Sequence, residues 1–286
     1  METTETTETT RSDKACVLEG LRRKAAEGKA VIGGGAGSGL SAKSQVAGGV
    51  DLVLLYNSGR FRTAGHGSLA GLLAYGNANE MVLDLAREIM PVIGRTPAVA
   101  GLNGTDPLFE HAYLLAEIQR LGVVGVQNFP TVGLIDGRFR RQLEDTGMGY
   151  DREVALIGAA AGRGLLTTPY VFSAEQAAAM TEAGADAIVC HLGLTSGGSI
   201  GSKDVTGLDE SVRLIDEWSA AAREVREDVL VLCHGGPIAE PEDLAHVMRS
   251  AKGVHGFFGA SAMERLPVEQ AVSDRVRAFT GLRTHP

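Results

Sequence analysis

Two histidines occupy equivalent places in the chain. His191 closes the run AIVCH and His234 closes the run LVLCH, so each follows a cysteine at the end of a short apolar segment. Imidazole takes or gives a proton near neutral pH. A pair at matching strand ends therefore points to proton transfer, with His191 or His234 as the base. Two histidines are also two of the ligands a transition metal needs, with Asp106, Glu144 or His66 as the third. No cofactor is required by the sequence, and a divalent metal stays open. Side chains alternate along a strand, so Cys190 and Cys233 face away from the histidines and are not read as nucleophiles.

Other strand ends carry amides and glycines. Asn57 follows LVLLY, Asn103 follows AVAGL, and Gln127 and Asn128 follow VVGV. Such amides orient a carbonyl or carboxylate through hydrogen bonds. The run GGGAGSG, with Gly34 and Gly35, offers backbone N–H groups to an anion. Gly235 and Gly236 in HGGP, and Gly259 and Ser261 in GASAMER, stand where barrels of parallel strands build an anion cradle. The stretch 133–149 is long for a strand-to-helix loop. It carries Arg138 and Glu144, and is read either as a lid closing over the site with these residues or as a solvated surface excursion.

Positioning these residues takes a repeated strand–loop–helix unit. Apolar runs at 30–32, 51–56, 98–101, 123–126, 165–168, 187–190, 230–233 and 256–258 are read as strands. Helical spacing with capping signals is read at 108–121, 174–183, 209–225 and 241–246. Eight such units predict an α/β (β/α)8 TIM barrel over 13–286, with the active site at the C-terminal ends of the strands. The opening METTETTETT is polar and repetitive, and residues 1–12 are read as a disordered tail.

Composition narrows the function classes. The net charge of −8 speaks against a nucleic-acid surface. No apolar run is long enough to span a membrane. The cysteine number is odd, at three, with no CxxC, which places the chain in a reducing cytoplasm. A homo-oligomer is expected.

Four runs carry a resemblance: NFPTVGLIDGRFRRQLEDTGMGY (128–150), CHLGLTSGGSIG (190–201), and the pair LCHGGPIAEPED and GFFGASAMERLP. They resemble the phosphoenolpyruvate hydrolase-like family, also called the TIM-barrel signal transduction family. A related domain forms the C-terminal part of Tm-1-like proteins. The resemblance implies kinship with the phosphoenolpyruvate mutase/isocitrate lyase group, which uses Mg2+ to make or break C–C or P–C bonds beside a carboxylate. That group's clustered metal-holding aspartates and its lysine- or cysteine-bearing lid motif are not found in this sequence.

The resulting expectation is a lyase or hydrolase acting next to the carbonyl of a small anionic oxo-acid, through an enolate-type intermediate. His191, His234 and Glu144 are its candidate catalytic groups. Gly34, Gly35, Asn57, Asn103, Gln127, Asn128, Arg138, Gly235, Gly236, Gly259 and Ser261 are its candidate substrate contacts. A non-catalytic ligand sensor and a histidine-ligated metal hydrolase are the alternatives.

Overall fold

Short Val-, Leu- and Ala-rich runs bounded by glycine form parallel strands, because they are buried on both faces and need no polar alternation. In the computed structural model, which describes residues 13–283, these are β1 (Val31–Ala36), β2 (Leu52–Leu55), β3 (Ala98–Leu102), β4 (Gly125–Asn128), β5 (Leu166–Thr167), β6 (Tyr170–Val171), β7 (Ala187–His191), β8 (Leu230–His234) and β9 (Gly256–Gly259). The segment read as a tail lies outside the described residues. The sheet order is β5-β4-β3-β2-β1-β9-β8-β7-β6, all parallel.

The two ends of that order are halves of one segment. β5 pairs with β4, while β6 pairs with β7. The Asp186 N–H also donates to the Thr167 carbonyl, and Val189 N–H to that of Pro169. Pro169 has no N–H to give a ladder, so it splits the fifth barrel strand in two. The expected eight-position barrel is present, with its fifth strand interrupted there.

Helices follow the strands. They are α1 (Lys14–Ala26), α2 (Gly39–Ala47), α3 (Asn57–Thr63), α4 (Ala78–Ile89), α5 (His111–Arg120), α6 (Gly137–Asp145), α7 (Tyr150–Gly162), α8 (Ala174–Glu182), α9 (Leu208–Val225), α10 (Pro241–Ser250) and α11 (Arg265–Thr280). The four helices expected from spacing are all present, with ends shifted by a few residues. The supposed 133–149 loop contains α6. None of these helices is long and apolar enough to cross a membrane.

Strand parity divides the core. Val31, Leu52, Leu54, Val99, Leu166, Val189, Leu232 and Phe258 fill the barrel interior, and Val17 and Leu21 of α1 join them. Val53, Leu55, Ala98, Ala100, Val126, Ile188, Val231 and the two strand cysteines face the outer helices. The first part of the glycine run, residues 33–36, is strand rather than loop. Gly34 lies between Val53 of β2 and Gly259 of β9, so its backbone serves the ladders. A Cβ on Gly33 would come 2.5 Å from the Phe258 ring, which is why a side chain is missing there.

Candidate active site

Parity carries the same inward row up to the C-terminal mouth. There Tyr56, Phe129, Tyr170, His191, His234 and Ser261 surround a cavity of about 270 Å3. Arg62 and Ser58 of α3, Ser68, and the 193–202 segment complete the wall, with Arg265 at the start of α11. Both histidines and both tyrosines are buried.

His191 and His234 are register partners on β7 and β8, and their ring centroids are 4.7 Å apart. Their Nδ1 atoms have opposite roles. The Gly193 N–H donates to His191 Nδ1 at 3.1 Å, so the neutral ring carries its proton on Nε2. His234 Nδ1 lies 2.6 Å from the Phe258 carbonyl, which only accepts, so Nδ1 carries the proton and Nε2 is a free base. The same residue type at the same strand position thus yields one donor and one acceptor. Burial, and then the neighbouring His234, hold His191 well below the usual imidazole range. Burial pushes His234 down to about 4. Both rings are neutral at pH 7.

Tyr170 packs between them, with its ring 4.7 Å from that of His191 and 4.9 Å from that of His234. Its hydroxyl donates to Tyr56 Oη at 3.1 Å, and Tyr56 Oη donates to Gln127 Oε1. Burial raises both phenols well above their ordinary range, so both stay protonated.

The cationic part of the wall is Arg62. Its Nε donates to Glu264 Oε2 at 3.0 Å and its Nη1 to Ser58 Oγ at 3.0 Å. The other Glu264 oxygen accepts the Gly37 N–H at 2.7 Å. The Arg62 side chain is 1% exposed, yet Nη2 has no hydrogen-bond partner among the described residues. A buried guanidinium N–H without a partner is costly and suits an anionic ligand. Gly35 stands beside it: a Cβ there would lie 3.3 Å from Nη2. Arg265 binds the Gly197 carbonyl and Glu269, tying the 193–202 cover to α11.

The remaining candidates are placed elsewhere. Gln127 points into the barrel beneath Tyr56. Asn128 accepts the Tyr170 N–H at 2.7 Å and donates to Glu153 Oε2 at 2.6 Å, so it is spent inside the scaffold. Asn57 donates to the Gly71 carbonyl. Asn103 is tied to Thr105 and Asn79. Gly34 faces Gln45 on the outer side, and Gly259 faces Met263. Gly235 and Gly236 form the turn after β8 at positive φ, and Gly236 N–H donates to Gly193 O. A Cβ on Gly235 would lie 2.2 Å from the Gly193 carbonyl. That turn clamps the loop holding His191.

Arg138 and Glu144 do not reach the cavity. They lie on α6 and line a separate surface depression with Arg141, Gln142 and Asp145, and Glu144 pairs with Arg140 at 2.7 Å. α6 has no buried residue, so nothing draws it over the mouth.

Sequence reasoning missed Arg62 and Tyr170. Arg62 is signalled by its four-residue spacing from Ser58, which puts both on one face of α3. Tyr170 is signalled by parity with Leu166, masked by Pro169.

The residues do not fit a carboxylate-held Mg2+. Among the described residues no Asp or Glu lines the cavity. The nearby acids are engaged: Glu264 with Arg62 and Gly37, Glu153 with Asn128 and Val132, Asp106 with Asn77, Asn79 and Leu108. Among the described residues, His, Cys, Asp and Glu form no group of three suited to a metal. His66 and Asp106 do not complete the histidine pair.

Comparison with known proteins gives the kinship. The family described as "Phosphoenolpyruvate hydrolase-like" matches residues 16–282. The tomato (Solanum lycopersicum) ToMV resistance protein Tm-1(GCR237) is 52% identical over 94% of this chain, but the match covers 36% of that protein. The chain thus spans about a third of that relative's length. Among solved structures, the phosphoenolpyruvate phosphomutase of Streptomyces platensis subsp. rosaceus is similar, with TM-score 0.63 and 17% identity, covering 94% of this chain and 88% of that one. A phosphonopyruvate hydrolase in complex with oxalate and Mg++ is similar with TM-score 0.58 and 18% identity, covering 96% and 90%. At these identities the shared property is the fold.

Proposed function

The chain belongs to the phosphoenolpyruvate hydrolase-like family, and on that footing we propose that it makes or breaks a bond next to the carbonyl of a small oxo-acid, through an enolate-type intermediate. The observation that carries this reading is the pair of neutral histidines of opposite tautomer facing one small cavity. Forming an enolate takes a base for the departing proton and an electrophile for the oxygen that gains charge. His234 Nε2 is the base. The His191 Nε2–H is the donor to the carbonyl oxygen, which takes the electron pair released from carbon. Arg62 Nη2 receives the carboxylate, and Ser58, Ser68 and Ser261 supply hydroxyls around it.

The test is exchange of the hydrogens next to the carbonyl. Pyruvate and 2-oxobutanoate are incubated with the protein in D2O and followed by proton NMR. Catalysed loss of the C3 signal supports the proposal. Binding without exchange replaces it with the ligand-sensor reading, and neither binding nor exchange removes the oxo-acid altogether.

We place the chain in the cytoplasm, where its unpaired cysteines Cys16, Cys190 and Cys233 stay reduced. Self-association is supported by α11, on which Val268, Val272, Val276 and Phe279 form an exposed apolar stripe. Sedimentation of the wild type against Val272→Lys tests this: a lighter species is expected for the variant.

A further inference from the structure

Gln127 presents a buried anomaly. Its side chain is fully buried, its Oε1 accepts from Tyr56, and its Nε2 donates to no group among the described residues. It does not line the cavity, but it ends a chain of polar groups that does: Tyr170 Oη donates to Tyr56 Oη, and Tyr56 Oη donates to Gln127. With that polarity every hydroxyl hydrogen points away from the ligand. An amide, however, is a donor on one side and an acceptor on the other, and turning it over exchanges the two. With Gln127 turned, Nε2 donates to Tyr56, Tyr56 donates to Tyr170, and the Tyr170 hydrogen is released towards the cavity. The orphaned N–H then gains its partner.

We propose that Tyr170 is a further catalytic residue. It donates a hydrogen bond to the oxyanion formed in the reaction, and Gln127, acting through Tyr56, is the positioning residue that sets the polarity of the relay. This rests on the enolate reading of the site. No proton leaves any of the three side chains; two hydroxyls rotate and one amide turns. A ligand without developing negative charge leaves the resting polarity in place. An oxyanion selects the other, because a phenol donor in a water-poor cavity is worth more to a charge than to a neutral carbonyl. Burial suits both phenols to this task, since it keeps them protonated. Tyr170 is also well held, with its backbone N–H bound by Asn128 and its ring packed on both histidines.

The experiment is the exchange of pyruvate hydrogens in D2O, followed across pH for the wild type, Tyr170→Phe, Gln127→Met and Gln127→Glu. Tyr170→Phe is expected to lower kcat at least tenfold with KM changed less than threefold. Gln127→Met, which can neither donate nor accept, is expected to do the same from outside the cavity. Gln127→Glu carries the sharper readout. As a neutral carboxylic acid it donates and accepts like the amide, whereas as a carboxylate it only accepts. Its exchange rate should approach wild type near pH 5 and fall as pH rises from there, while the wild type stays level over that range. A merely structural Gln127 gives no such slope. Should Gln127→Met fail to fold, Gln127→Glu decides alone. Wild-type exchange retained in Tyr170→Phe, or a level profile in Gln127→Glu, overturns the relay and leaves the enolate reading standing. Absence of exchange in the wild type overturns the enolate reading, and the relay with it.

Discussion

The β3–β4 side of the barrel mouth and the β7–β8 side both end their strands in polar residues, but they use them differently. On the first side the Asn128 amide is consumed at both ends. Asn128 alone joins Tyr170 of the split fifth strand to Glu153 of α7. On the second side His191 and His234 each spend one ring nitrogen on the backbone and turn the other to the cavity. A bidentate amide between two backbone or carboxylate partners has nothing left for a ligand. An imidazole with one partner still has one. What separates scaffold from chemistry is therefore how many valences the surroundings leave over, not which residue is polar.

The largest effect that tests this contrast belongs to the histidines. His234→Asn should reduce oxo-acid exchange by about 10²–10⁴-fold, the usual contribution of a positioned base, and His191→Asn should reduce it by a similar factor. The wild-type rate should be level above about pH 5 and fall towards pH 4, as His234 becomes protonated. A stability effect has the same origin. The folded value of about 4 lies below the ordinary 6.5, so the unfolded chain binds the extra proton between these limits. Stability is complete above pH 6.5 and is lost as pH falls, by on the order of 3 kcal/mol from this group. Urea titrations of wild type and His234→Asn should converge in pH dependence if another group were responsible.

On the opposite side the sign reverses. Glu153 is fully buried, and burial raises its carboxyl from 4.5 to about 7 against the hydrogen bonds from Thr131, Val132 and Asn128. The folded state holds the proton more tightly. Stability from this group is complete below pH 4.5 and is lost as pH rises to about 7, again on the order of 3 kcal/mol. Glu153→Gln should remove that slope, so that its urea midpoint gains on that of the wild type from pH 5 to pH 8. Asn128→Ala should cost about 1–3 kcal/mol at pH 7, because it strands the Tyr170 N–H and a Glu153 oxygen. If Asn128→Ala abolished exchange while the midpoint stayed put, the division between the two sides would be wrong.

The barrel was legible because its strands are short, apolar and closed by glycine, and because the intervening helices carry capping signals such as Ser173 before α8. Other features had no such trace. α1 buries only Val17 and Leu21 in a polar, charged helix, so its spacing is weak. Pro169 hides the alternation that puts Leu166 and Tyr170 on one face. The histidines were legible as a pair, but their opposite tautomers depend on Phe258 and Gly193, which arrive from the next strand and the next loop. Arg62 was lost beside Arg60 in NSGRFRT. Helical geometry separates them, sending Arg60 to Glu88 at the rim and Arg62 to the buried Glu264.

The smallest expected effect belongs to α6, and it sharpens the contrast by extending it to a charged surface. Arg138 and Glu144 have the chemistry for a lid, and the run between them is long. α6 nevertheless has no fully buried residue, and its partly buried Leu143 packs against the outer core rather than the mouth. Its Arg140–Glu144 pair is four residues apart on an exposed helix, a geometry worth about 0.3–0.5 kcal/mol. Arg140 also donates to the Val132 carbonyl at 2.6 Å, which anchors the helix beside the β4 loop rather than across the mouth. Arg138→Met and Glu144→Gln should therefore change exchange by less than twofold and the urea midpoint by less than about 0.5 kcal/mol. A tenfold loss of exchange at unchanged stability in either variant would mean that α6 travels to the cavity when ligand is bound. The charged surface would then have to be counted with the histidine side of the mouth.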